Sequence, residues 1–116
     1  MISERRQHAR IPVVWKATIT RLNGEQLLGS TDNVSVDGIN VILNRDLVLG
    51  EPVRVDVVTR CAAGVGCFRL QGVAVYVESL QHNLGVAVGL RLLDVDGRYS
   101  QLVQGLLGSR GANEVA

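Results

Sequence analysis

Two short polar stretches hold the residues best suited to chemistry. The first is Glu4-Arg5-Arg6-Gln7-His8-Ala9-Arg10, in which Arg6 and Arg10 form Arg-x-x-x-Arg. The second is Asp32-Asn33-Val34-Ser35-Val36-Asp37-Gly38, in which Asn33, Ser35 and Gly38 form Asn-x-Ser-x-x-Gly. Arginine presents a planar fork that matches phosphate oxygens and the Hoogsteen edge of guanine, whereas lysine is a point charge. Of the 12 lysines and arginines only Lys16 is lysine. A GC-rich genome would produce the same bias. Each stretch also has a plain reading when taken alone. A charged terminal run is usually a solvated end. An Asn/Ser turn with a glycine is usually just a turn, the glycine supplying an unusual φ.

Other chemistry has few candidates. Ser3, Ser30, Ser35, Ser79, Ser100 and Ser109 lie in no nucleophile-elbow pattern, and neither a His-Glu-x-x-His nor a P-loop occurs. Gly64-Val65-Gly66 leads into a strand rather than a helix, which weakens any phosphate-loop reading. No catalytic residue is assigned, and the chain is not expected to be an enzyme. Cys61 and Cys67 match neither Cys-x-x-Cys nor a zinc pattern, and only His8 and His82 could assist them. No metal is expected, and both cysteines should be reduced and partly buried. Asn33-Val34-Ser35 matches a glycosylation acceptor, but no apolar stretch follows the opening charges as a secretory signal requires. The expectation is a cytoplasmic protein, and no apolar run reaches the ~18 residues of a membrane span. A net charge of +1 and 3% aromatics suit neither a basic duplex-binding surface nor an aromatic single-strand platform, so no nucleic-acid polymer is expected as partner.

The elements that must position these residues are mostly of period two. With 116 residues, 47% of them hydrophobic, one domain can bury a core without disulfides. From Pro12 to Leu22, Val13, Trp15, Ala17 and Ile19 alternate with Val14, Lys16, Thr18 and Thr20. Asn23-Gly24 then signals a hairpin, and a second strand runs from about Glu25 to Thr31. The polar turn 32–38 follows. Ile39, Val41 and Leu43 share one face of a third strand. Val53, Val55 and Val57 mark a fourth, after Gly50-Glu51-Pro52. A glycine-rich loop around Gly64 and Gly66 precedes a fifth, about Phe68 to Val77, and Leu84 to Leu92 alternate in a sixth. The period then changes. After Asp94 and Asp96, either able to cap, Tyr99, Leu102, Val103, Leu106 and Leu107 predict an amphipathic helix, stopped by Gly108. Six short strands and one helix predict an antiparallel β-barrel, in which closure removes exposed edges, with a C-terminal α-helix over one end or flank. The expected layout is an arm at 1–11, the barrel and helix at 12–108, and a disordered tail at 109–116.

Together, the two stretches say more than either alone. Arg6-x-x-x-Arg10 followed two strands later by Asn33-x-Ser35-x-x-Gly38 resembles the two-part signature of the PilZ domain, a receptor family for the bacterial second messenger cyclic di-GMP. The strands Gly72-Val73-Ala74-Val75-Tyr76-Val77 and Val88-Gly89-Leu90-Arg91-Leu92, and the final helix, are also similar to that family, so the resemblance covers nearly the whole chain. It implies a β-barrel receptor or adaptor that needs no cofactor. The arginines would bind phosphate or guanine in a bidentate manner. Asn33 would offer its carbonyl to guanine N–H donors, Ser35 a hydroxyl near phosphate or base, and Gly38 a close approach of backbone and ligand. Relatives often carry aspartate at the position of Asn33. Asp32, next to it, would point to the opposite face of a regular strand. Arg5, before the motif, implies two stacked ligands per protomer. Tyr76 falls where relatives often have an aromatic residue near the ligand, and ordinary barrel packing would account for it equally. The resemblance further implies an arm that folds over the ligand and signals to a separate effector protein or to a second copy in a homodimer. The alternative is an interaction adaptor of the same fold that does not bind the nucleotide.

Overall fold

In the computed structural model the backbone is described for residues 9–62 and 64–115, with side chains as far as residue 108. The elements are β1 (Lys16–Arg21), β2 (Gln26–Val34), β3 (Gly38–Leu43), β4 (Pro52–Cys61), β5 (Gly64–Ser79), β6 (Val86–Leu93) and α1 (Gly97–Val115). The strands close into an antiparallel barrel in the order β1-β2-β3-β6-β5-β4. The expected fold is therefore observed. Its core follows the period-two pattern: Ala17 and Ile19, Ile39 and Val41, Val53, Val55 and Val57, and Val88 and Leu90 are all buried inside. At roughly 25 cal/mol per Å2 of apolar surface removed from water, this alternation is the main favourable term for folding.

The first hairpin turns at Asn23-Gly24. Gly24 takes a φ of +92° that a β-carbon would oppose, and its N–H donates to the Arg21 carbonyl at 2.9 Å. The Arg21 guanidinium then spans to Glu51 in a two-pronged pair, Nε to Oε2 at 2.7 Å and Nη2 to Oε1 at 2.9 Å. This fastens the hairpin to the loop between β3 and β4. The Arg21 hydrogen bond holds the Glu51 carboxyl below its ordinary value.

Several boundaries differ from the sequence expectation, each for a local reason. Regular β1 begins at Lys16 rather than Pro12, because Pro12 to Trp15 reach β2 through one threonine. Thr31 Oγ1 accepts the Trp15 N–H at 2.9 Å and donates to the Val13 carbonyl at 2.6 Å. The predicted glycine loop is part of β5, since Gly64 and Gly66 pair with Cys61 and Thr59 on β4. Cys67 consequently lies outward and exposed, not partly buried, while Cys61 is half-buried. The α1 backbone passes Gly108 and continues to Val115. Gly108 is not among the residues with positive φ, and an interior glycine costs only about 1 kcal/mol relative to alanine. Without the left-handed cap it does not end the helix. Asp96, not Asp94, caps α1: its Oδ1 accepts the Arg98 N–H at 2.7 Å. Tyr99 and Val103 bury the predicted face, and Tyr99 meets Phe68 of β5 edge-on at 5.5 Å between ring centroids. The Tyr99 hydroxyl is buried with no partner among the described residues, and burial pushes its ionisation far above the ordinary phenol value.

Two ladders are interrupted. The β2–β3 register shifts between Thr31 and Asn33, and the β5–β6 register shifts between Ala74 and Tyr76. Each bulge adds one residue to its strand and so exchanges the inward and outward parity beyond it. On β2 the buried positions go from Leu27 and Thr31 to Val34; on β5 they go from Leu70 and Ala74 to Val77, which packs against the core.

Candidate ligand-binding site

The site grows from the second half of β2. Ile11 and Val34 exchange both backbone hydrogen bonds, Ile11 N–H to Val34 O at 2.8 Å and Val34 N–H to Ile11 O at 2.9 Å. This bridge pins the residue before Ile11 against the end of β2. Arg10 Nη1 accordingly donates to Asn33 Oδ1 at 3.1 Å. Just beyond, the Ser35 N–H donates to the Gly38 carbonyl at 2.8 Å, and the Ser35 hydroxyl donates to Asp37 Oδ1 at 2.9 Å. A β-carbon on Gly38 would stand 3.4 Å from Arg10 Nη2, 3.5 Å from Ser35 Oγ and 3.3 Å from the Leu90 carbonyl. Arg10, Asn33, Ser35 and Gly38 thus converge on one turn.

Two expected roles change with that geometry. Gly38 has no positive φ, so it supplies no unusual turn conformation; a β-carbon there would press closest on the Leu90 carbonyl and meet Arg10 at ordinary contact distance. Ser35 is 1% exposed and its hydroxyl is directed to Asp37, so in this state it holds the turn rather than facing solvent. Arg5 and Arg6 lie outside the described residues.

The bulges decide what faces out beside the turn. Without the one in β2, Asn33 would follow Leu27 and Thr31 into the core. With it, Asn33 pairs with Asn40 of β3 on the outside, and Asn40 Nδ2 donates to Asn33 Oδ1 at 3.0 Å. Asp32 does not point to the opposite face, as a regular strand would require: it is exposed, and Asn33 Nδ2 donates to its Oδ2 at 3.0 Å. The bulge in β5 acts likewise on Tyr76. Its ring is 50% exposed, so barrel packing does not account for it. The Tyr76 hydroxyl donates to the Glu78 carboxylate, and that bond raises the phenol pKa.

These side chains lie in one row across four strands. Asn33 opposes Asn40, Asn40 opposes Gly89 of β6, and Gly89 opposes Tyr76 of β5. The missing side chain at Gly89 opens the middle of the row, for a β-carbon there would be 3.0 Å from Asn40 Oδ1 and 3.2 Å from Tyr76 Cβ. A groove of about 230 Å3 lies beside the row, shares Asn40 and Tyr76 with it, and is further lined by Asp32, Glu78, Val41, Ile42, Ala87 and Val88. Its lining offers one amide, two carboxylates and an aromatic face, and Arg10 lies outside it, reached through Asn33, which accepts from both Arg10 and Asn40. No cluster of metal-ligating residues occurs among the described residues. Sequence reasoning missed Asn40, Asp32 and Glu78. Asn40 had left a signal, as the one polar residue in Gly38-Ile39-Asn40-Val41-Ile42-Leu43.

The molecule is thus a closed antiparallel barrel with a C-terminal helix and a polar turn and groove on its outer wall. The family model for the PilZ domain matches residues 4–109, and the chain belongs to that family. No curated protein sequence matches it significantly. Solved structures share the fold. The PilZ domain of YcgR from Escherichia coli, solved with c-di-GMP, is 18% identical with a TM-score of 0.69, and 95% of each chain is covered. MotI, the inhibitor of motility of Bacillus subtilis, is 20% identical with a TM-score of 0.77 over 94% of this chain and 52% of its own. MrkH of K. pneumonia, solved as a c-di-GMP complex, is 11% identical with a TM-score of 0.70 over 95% of this chain and 54% of its own. The chain therefore spans about half the length of MotI and of MrkH. Among the described residues, no helix is long and apolar enough to cross a membrane.

Proposed function

We propose that this chain is a cyclic di-GMP receptor rather than an enzyme. The carrying observation is the convergence of Arg10, Asn33, Ser35 and Gly38 on one turn, next to an outward groove that Asp32 and Asn40 line. In a domain of this family, two of whose structural neighbours were solved with c-di-GMP, that arrangement is supplied with what the ligand needs. Arg10 bridges phosphate oxygens or takes a guanine Hoogsteen edge, and the groove takes a base. Arg5 and Arg6 complete the cation set, and the segment before Arg10 closes over a stacked pair of ligands. Ordering of that arm is a population shift that a separate effector, or a second copy of the chain in a homodimer, reads in the cytoplasm.

Calorimetric titration with cyclic di-GMP tests this directly. Saturable binding with two ligands per protomer is expected. Arg10→Ala should weaken it by roughly 1.5–3 kcal/mol, the range for a charge-assisted contact, with an unchanged circular dichroism spectrum. Absence of saturable heat would favour the non-binding adaptor, and a one-to-one endpoint would remove the stacked pair.

A further inference from the structure

Asn33 is heavily used before any ligand arrives. Its Oδ1 accepts from both Arg10 and Asn40, and its amide donates to Asp32. A carbonyl oxygen has two lone pairs, so Asn33 offers no further acceptor without breaking one of these bonds. Asp32 differs. It is exposed, it edges the groove, and a carboxylate accepts about four hydrogen bonds through two oxygens. The other carboxylate at the groove, Glu78, accepts the Tyr76 hydroxyl.

From this geometry we infer that Asp32 is the guanine-reading residue of this site, accepting the adjacent N1–H and N2–H of one base with its two carboxylate oxygens. The inference rests on the proposed reading of the groove as a cyclic dinucleotide site and adds the residue that selects the base. Guanine presents two neighbouring donors on its Watson–Crick edge. Hypoxanthine lacks the 2-amino group and presents one; adenine has an unprotonated N1 there. A two-oxygen acceptor therefore favours guanine over both. The β2 bulge makes this possible, because it sets Asp32 and Asn33 side by side on the outer wall. Asn33 then orients the carboxylate through its amide, and Arg10 holds Asn33.

Charge distinguishes this role from a nonspecific one. The ligand is an anion, so removal of a nearby negative charge should by itself strengthen binding. A reading residue predicts the reverse. The test measures dissociation constants of cyclic di-GMP and of its hypoxanthine analogue, cyclic di-IMP, for the wild type, Asp32→Asn and Asp56→Asn. Asp56 lies on β4 and pairs with Arg54 and Arg69, so its variant controls for the loss of one charge. Asp32→Asn should weaken cyclic di-GMP by roughly tenfold to a hundredfold, the scale of a hydrogen bond to a charged group. The preference for cyclic di-GMP over cyclic di-IMP should fall toward unity. Asp56→Asn should keep both affinity and preference. If the wild type binds cyclic di-GMP but Asp32→Asn retains its affinity or its preference, the assignment to Asp32 is overturned while the receptor reading stands. If the wild type binds neither dinucleotide, both are overturned.

Discussion

The two sides of the barrel are built by opposite rules. On one side β4 and β5 pair from Pro52 and Val73 to Cys61 and Gly64 without a break, and β1 and β4 pair equally evenly. Inward positions there are mostly aliphatic, Ala17, Ile19, Val53, Val55, Val57 and Leu70, while outward positions carry ion pairs such as Arg69 with Asp56 at 2.8 Å. On the other side the β2–β3 and β5–β6 ladders are each interrupted once, and the polar row Asn33, Asn40 and Tyr76 lies just past the interruptions. An unbroken ladder fixes parity, and parity fixes which side chains are buried. A bulge releases that constraint at one point and lets two consecutive residues face out. The even side supplies stability, and the interrupted side exchanges some regularity for a surface.

That division can be broken at either end. Val55→Asp, fully buried on β4, should abolish cooperative unfolding. An unpaired charge in the core costs several kcal/mol, on the order of the whole stability of a small domain. A thermal melt by circular dichroism reads this, and a variant that still melted near the wild-type temperature would show that the even side is not the support described. Gly89→Ala should do the opposite. Its β-carbon crowds Asn40 Oδ1 and Tyr76 Cβ, both on the outer wall. Stability should fall by about 1 kcal/mol, the low end for overpacking, whereas cyclic di-GMP affinity should fall by about tenfold as the groove fills. Unchanged affinity, or a loss of cooperative unfolding like that of Val55→Asp, would erase the distinction.

The smallest effect concerns acid. The Glu51 pKa is depressed from its ordinary 4.5, chiefly by the Arg21 hydrogen bond. The pair therefore adds stability above pH 4.5, and that part is lost as pH falls through the lower folded value. The gap in denaturation midpoint between wild type and Glu51→Gln should be full at about pH 6 and narrow progressively as pH falls below 4.5. A constant gap would assign the effect to packing.

How much of this was legible in the sequence follows the same division. Where the ladders are even, alternation told the truth: Ala17, Ile19, Val53, Val55 and Val57 are inside as read. The hairpin at Asn23-Gly24 and the buried face of α1 were also legible, because glycine tolerance and helical spacing are local properties. The bulges were not. A period-two reading counts residues, and nothing in Thr31-Asp32-Asn33 or Ala74-Val75-Tyr76 announces an extra one. That is why Asp32 was placed on the wrong face and Tyr76 was left between two readings. The motif residues were found by type and order alone. Their mutual contacts depend on the Ile11–Val34 bridge, a long-range pairing that local pattern does not carry.

The hydrogen bonds around Asn33 have a consequence for the energetics of occupancy. Arg10, Asn40 and Asp32 already bond the Asn33 amide when no ligand is present, so the empty site carries little desolvation penalty there. A ligand that engages Asn33 must exchange one bond for another, and such exchanges are worth only about 0.5–1.5 kcal/mol each. Most of the affinity must then come from other groups: phosphate charge against guanidinium, guanine donors against the Asp32 carboxylate, and base area against the Tyr76 ring. Occupancy of such a site should depend strongly on salt, since its largest gains are electrostatic and the exchanges at Asn33 nearly cancel.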